Sequence, residues 1–173
     1  GVPYTMGSVM EPLSVAYRAV EHAGKIKGKN VLIVGAGTIG LLILACVKMK
    51  HPSKVFVSDL VPERLDLAQK MGADFIVNPV KQDLREIILS NTNREGVGIS
   101  FEAVGITPTC QQAMSALKLN GTSVWVGMGK RQVNIDMLEI ITQELRITGT
   151  FLYGYKEFRQ VVDYVNQGLL DIK

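Results

Sequence analysis

The residues Gly35-Ala36-Gly37-Thr38-Ile39-Gly40 lie between an apolar run, Val31 to Val34, and a second apolar stretch that continues to Val47. Glycine at the first, third and sixth places between a strand and a helix makes a cradle for a pyrophosphate. Gly35 permits the tight turn, Gly37 lets the backbone approach the phosphates, and Gly40 lets the helix pack against the strand. Thr38 and Ile39 open the helix, whose free N–H groups then face the anion with the helix dipole behind them. The spacing alone is weak evidence: a glycine-rich turn without a ligand, or a methyltransferase on the same scaffold, would show it too. Asp59 narrows the choice. It follows Gly40 by nineteen residues, at the end of the next apolar run, Val55 to Ser58. A carboxylate there accepts hydrogen bonds from both adenosine ribose hydroxyls and repels a 2′-phosphate. Leu60 and Val61 follow it and bring no cation. NAD is therefore expected rather than NADP. Asp59 could instead serve as a helix N-terminal acid. Arg64 either lies over the adenine or sits on a helix surface.

These residues need a scaffold, and the pattern along the chain supplies one. Helices are expected at about Pro12–Ala23, Thr38–Lys50, Pro62–Gly72, Gln82–Thr92, Pro108–Leu119, Asp136–Glu144 and Lys156–Asn166. Strands are expected at Asn30–Val34, Val55–Ser58, Asp74–Val77, Ile99–Val104, Ser123–Val126 and Leu145–Leu152. Strand and helix alternate almost throughout, which predicts an α/β fold: a doubly wound, six-stranded parallel sheet of Rossmann type with helices on both faces. Ligands of such sheets bind beyond the carboxyl ends of the strands, where Gly35, Asp59, Gly105 and Gly127 fall.

At 173 residues and 47% hydrophobic the chain suits one domain covering 1–173, able to bury a core without staples. The net charge of +3 is small, and Lys25, Lys27 and Lys29 read as a solvated loop, so no nucleic-acid partner is expected. Ile39 to Val47 is too short to cross a bilayer. Cys46 and Cys110 lie far apart with no C-x-x-C pair, and they read as packing residues in a reduced, cytoplasmic setting. Both ends of the chain, Gly1 and Leu169 to Lys173, read as cut from something longer.

The chain resembles the medium-chain zinc-dependent alcohol dehydrogenases, in the branch of the sorbitol, threonine and butanediol dehydrogenases. The resemblance rests on Met10-Glu11-Pro12-Leu13-Ser14-Val15-Ala16, the loop Gly35 to Gly40, Asp59 with Arg64, and Glu102-Ala103-Val104-Gly105. It implies a coenzyme half only. The GroES-like catalytic domain, with its zinc ligands of Cys, His and Glu type, is absent. The whole protein would transfer hydride between a small secondary alcohol or polyol and NAD, with zinc bound outside this chain. The resemblance places Glu11 at the catalytic zinc, directly or through water, as the one catalytic candidate. It places Val15 against the nicotinamide, Val104 and Gly105 beside the adenosine, and Val126, Gly127 and Met128 on the nicotinamide side. Thr150 and Leu152 would hold the carboxamide through backbone groups. One departure stands out: Leu152 follows Phe151 where sorbitol dehydrogenases have Arg, which argues against a sorbitol-like polyol.

Competing readings remain. Ser8-x-x-Glu11 fits a helix capping box, and a lone carboxylate cannot hold a catalytic zinc, which takes three protein ligands. His22 and His51 have no partner at metal-ligand spacing. No Tyr-x-x-x-Lys pair occurs, so the domain is not expected to be active alone. A regulatory dinucleotide sensor would not need Glu11-Pro12-Leu13. A homo-oligomer is expected through the edge strand near Arg146 to Leu152, where Ile147 and Phe151 suit a covered surface.

Overall fold

A computed structural model describes residues 7–170. Gly1 and the final Asp171-Ile172-Lys173, part of the expectation of cut ends, lie outside the described residues. The elements are α1 (Gly7–His22), β1 (Val31–Val34), α2 (Thr38–Met49), β2 (Val55–Ser58), α3 (Pro62–Lys70), β3 (Phe75–Val77), α4 (Leu84–Asn91), β4 (Val97–Glu102), α5 (Thr107–Ser115), β5 (Leu117–Trp125), α6 (Met137–Thr142), β6 (Arg146–Gly149) and α7 (Tyr155–Asn166). The strands form one sheet in the order β3-β2-β1-β4-β5-β6, and every pairing is parallel. The order reverses between β1 and β4, which is where such a sheet opens a crevice.

Both faces of the sheet are covered, so β1, β2 and β4 are buried at every position, with Ser58, Ser100 and Glu102 the polar residues among them. Val31 and Ile33 of β1 share a core with residues of α1, α2, α3 and α7, while Leu32 and Val34 share one with α4 and α5. Helix α2 is buried along most of its length, at Leu42, Ile43, Leu44, Cys46 and Val47. That explains an apolar stretch with little amphipathic pattern.

Several boundaries differ from the sequence expectation, among them the start of β5, at Leu117 and not Ser123, and both ends of β4. Helix α1 begins five residues before Pro12, which therefore lies inside it. Pro12 is the sixth residue of α1, beyond the first four donors that lack intrahelical partners, so its missing N–H removes one hydrogen bond from the helix. Ser8 is then the second residue of α1 and not its cap, so the Ser8–Glu11 capping box does not apply. Helix α5 stops at Ser115 because Ala116 and Leu117 already pair with β4, through the Val97 N–H to the Ala116 carbonyl at 2.9 Å. Gly96, at φ +95°, allows that approach: a β-carbon there would meet the Ala116 oxygen at 2.7 Å. Strand β6 ends at Gly149, and Leu152 turns the chain away at φ +55°.

The contact that matters most for the site lies between α2 and β1. A β-carbon on Gly40 would run into the Gly35 carbonyl oxygen, whereas one on Gly37 would meet nothing within 4 Å. Gly40→Ala should therefore lower the unfolding free energy by about 3 kcal/mol or more, as overpacking against backbone does. Gly37→Ala should cost about 1 kcal/mol or less. Urea denaturation of the two variants checks the contrast, and equal losses would contradict it.

Candidate dinucleotide site

Helix α2 starts without a side-chain cap: Gly37 occupies the cap position, and no acid stands in the first turn. By contrast, Asp83 caps α4 through the Glu86 N–H, and Asp136 caps α6 through the Leu138 and Glu139 N–H groups. An uncapped N-terminus keeps several backbone donors and the positive end of the dipole available to an anion. Thr38, Ile39 and Gly40 form the first turn of α2 above the Gly35 bend, where φ is +98°.

Asp59 leaves β2 next to this loop. One carboxylate oxygen accepts from the Ala36 N–H at 2.7 Å and the other from the Val61 N–H at 2.9 Å. The side chain is only 8% exposed, and the Arg64 guanidinium stands 3.9 Å away, itself 54% exposed. Asp59 thus ties the glycine loop to β2 and accepts from Val61 just ahead of α3. A cavity of about 400 Å³ opens beside it, lined among others by Gly35, Asp59, Arg64, Val80, Val104 and Ile106. Its walls are mostly apolar and its one buried charge is Asp59, a composition suited to a base and its ribose. A larger hollow of about 500 Å³ lies at the opposite, amino ends of β4 and β5. There Arg94 and Lys118 are already engaged with Glu86 and Glu95.

The turns after β4 and β5 close against each other. The Gly129 N–H donates to the Val104 carbonyl at 3.0 Å, and the Lys130 N–H to the Gly105 carbonyl at 2.7 Å. A β-carbon on Gly127 would collide with the backbone of Val104 and Gly105, so only glycine permits this contact. The Thr150 N–H donates to the Trp125 carbonyl at 3.0 Å and joins the exits of β5 and β6. Val126, Gly127, Met128, Thr150 and Leu152 thus gather at the ends of β5 and β6, outside the cavity beside Asp59. Met128 and Leu152 are exposed, as are the neighbouring Phe151 and Tyr155.

The sequence reading missed the cavity residues Val80, Ile106 and Gln112: the first two are apolar positions outside the helices and strands, the third a polar position on α5, and none carries a spacing signal. It quoted Glu102 only as part of a motif. On α1, Glu11 is exposed and Val15 partly buried, and neither lines the cavity. Among the described residues no three His, Cys, Asp or Glu side chains group to hold a metal. These residues do not fit a zinc centre. Burial pushes the thiol of Cys46 up to about 12 and that of Cys110 up to about 11, with Glu102 adding to the second. Both are packing residues. No described helix is long and apolar enough to cross a membrane.

The family description "zinc-binding dehydrogenase" matches residues 38–167. The chain belongs to the zinc-binding dehydrogenase family. It is 34% identical over 171 residues to D-xylulose reductase A of Aspergillus niger, covering 96% of this chain and 48% of that protein. Among solved structures it is similar to 2R,3R-butanediol dehydrogenase of Bacillus subtilis, with a TM-score of 0.88 at 29% identity over 96% of this chain and 47% of that one. A chain from Sinorhizobium meliloti, solved with NADP bound, gives 0.88 at 29% identity over 98% of this chain and 52% of that one. The chain therefore spans about half the length of the curated relatives it matches. Its fold is the Rossmann fold of this family's coenzyme-binding domain.

The loop carrying Thr150 and Leu152 is anchored from behind. Arg18 of α1 pairs with Glu157 of α7 at 3.2 Å, and the other Glu157 oxygen accepts from the Gly154 N–H at 2.9 Å. The backbone N–H of Glu157 itself holds its carboxyl below the usual range; burial opposes this, and the Gly154 N–H, the Arg18 guanidinium and Lys156 add to the lowering. A depressed carboxylate contributes stability above its unfolded value and loses it as pH falls through the folded one. Glu157→Gln should therefore cost about 1 kcal/mol at pH 7, and the difference from wild type should shrink as pH drops below about 4. Urea melts across that range test this, and a pH-independent difference would contradict it.

Proposed function

We propose that this chain binds NAD(H) as the coenzyme half of a longer dehydrogenase that interconverts a small secondary alcohol or polyol and its carbonyl product. The observation that carries this reading is the uncapped start of α2 beside a buried Asp59 whose carboxylate is bonded to the glycine loop. The pyrophosphate would lie on the N–H groups of Gly37, Thr38 and Ile39. The adenosine would fill the cavity beside Asp59, between Val104 and the Arg64 side. Each Asp59 oxygen accepts one N–H and keeps a lone pair for a ribose hydroxyl. When bound, the nicotinamide supplies hydride exchange with the carbinol carbon. Val15, Gly105, Val126, Gly127, Met128, Thr150 and Leu152 would orient the ring and its carboxamide.

The rest of the polypeptide would close the cleft over the exposed apolar surface at Met128, Phe151 and Leu152. Zinc would be held there by residues outside this chain, with Glu11 at its border. Strand β6 lies at the sheet edge with Ile147 partly buried, and a second copy pairing there would make a homo-oligomer. The two buried free thiols suit a reduced, cytoplasmic setting.

NAD is favoured over NADP because the buried Asp59 carboxylate meets the 2′ position, while exposed Arg64 offsets it only partly through solvent. Asp59→Ala should weaken NADH about tenfold or more, since it removes charge-assisted hydrogen bonds. It should leave NADPH unchanged or improved. The ratio of the two dissociation constants is the readout, because general loosening of the loop would affect both alike. An unchanged ratio would contradict the assignment.

A further inference from the structure

We propose that Glu102 is a positioning residue of the dinucleotide site, its carboxyl fixing the turn after β4 against both the glycine loop and the turn after β5. The inference rests on the NAD(H) reading above.

Glu102 is fully buried at the end of β4. Its Oε1 accepts from the Val104 N–H at 3.0 Å and the Gly105 N–H at 2.8 Å. Its backbone carbonyl accepts from the Val126 N–H at 2.8 Å and the Gly127 N–H at 3.1 Å. One residue therefore holds the exits of both strands, the side chain taking one turn and the main chain the other. Val104, so fixed, presses on the glycine loop: its Cγ2 lies 2.6 Å from where a Gly35 β-carbon would stand. The adenosine wall, the pyrophosphate loop and the nicotinamide side are thereby locked into one arrangement.

Only one oxygen of this carboxyl is satisfied. Oε2 has no hydrogen-bond partner, and Glu102 enters no ion pair among the described residues. A buried acceptor left unpaired is unfavourable, yet an apolar side chain here would strand the Val104 and Gly105 N–H groups. What the group supplies is one oxygen, placed to take two N–H groups of a turn with φ +84° at Gly105. Geometry, and not charge, is the requirement.

Two variants separate these. Glu102→Gln keeps an oxygen at the same reach without the charge. Glu102→Asp keeps the charge but withdraws it by one methylene, about 1.5 Å. With NADH as probe, Gln should bind within about threefold of wild type and Asp should weaken binding about tenfold or more, both melting within a few degrees of wild type. The reverse order would overturn the proposal, as would losses in both variants that track their melting temperatures. Amide exchange without dinucleotide gives an independent arm: the Val104 and Gly105 amides should stay protected in Gln and exchange faster in Asp. If wild type itself fails to bind NADH, the NAD(H) reading falls, and exchange alone decides whether Glu102 positions this turn. Equal protection in both variants would overturn it.

Discussion

The site depends on how closely α2 approaches the end of β1. At Gly40 there is no room for a single carbon between the helix and the Gly35 carbonyl. That approach brings the uncapped N–H groups of α2 to the carboxyl edge of the sheet, where the strand order reverses. Buried apolar side chains on both sides of α2 hold it there. Folding energy from the core thus keeps unsatisfied donors in place, which a solvent-exposed helix start would not do by itself. Asp59 extends the same logic: a carboxylate that is mostly buried is tolerated because two backbone N–H groups meet it.

The second half of the site is built differently. Beyond β4 and β5 the chain contributes few side chains and much backbone: Gly105, Gly127 and Gly129 pack main chain on main chain. Only glycine permits this contact, and the buried carboxyl of Glu102 sits at its root. On the far side, α1 and α7 lean together through Arg18 and Glu157 and through Tyr17 against Tyr164, whose rings meet edge to face at 5.7 Å. The loop from Thr150 to Leu152 is thus supported from behind while its front stays exposed. A cavity enclosed beside Asp59 and an apolar face left open at Met128, Phe151 and Leu152 fit a domain that spans half the length of its relatives.

The readable parts of the sequence were those where one residue type alone will serve. Gly35 marks a positive φ, Gly40 a close approach and Asp59 a strand end, so the fold and the glycine loop followed from spacing. The start of α1 was hidden by Pro12, a residue that suits a first turn but is tolerated a few places inside. The end of α5 was hidden because Ala116 and Leu117 leave the helix for contacts with Gly96 and Val97, which local propensity does not see. That Asp59 would bond Ala36, and that Glu102 would fold back on its own turn, are tertiary facts with no periodic signature. Val80, Ile106 and Gln112 were missed because a cavity wall needs shape more than residue type.

The most direct test of the account is a titration of NADH into the chain while exciting Trp125, its only tryptophan. That residue ends β5 beside the Thr150 loop, with its indole N–H fixed on Ser123 at 2.9 Å. The account predicts saturable energy transfer from Trp125 to bound NADH, with a much weaker response to NADPH. Absence of transfer, together with no heat of binding by calorimetry on the same sample, would contradict it.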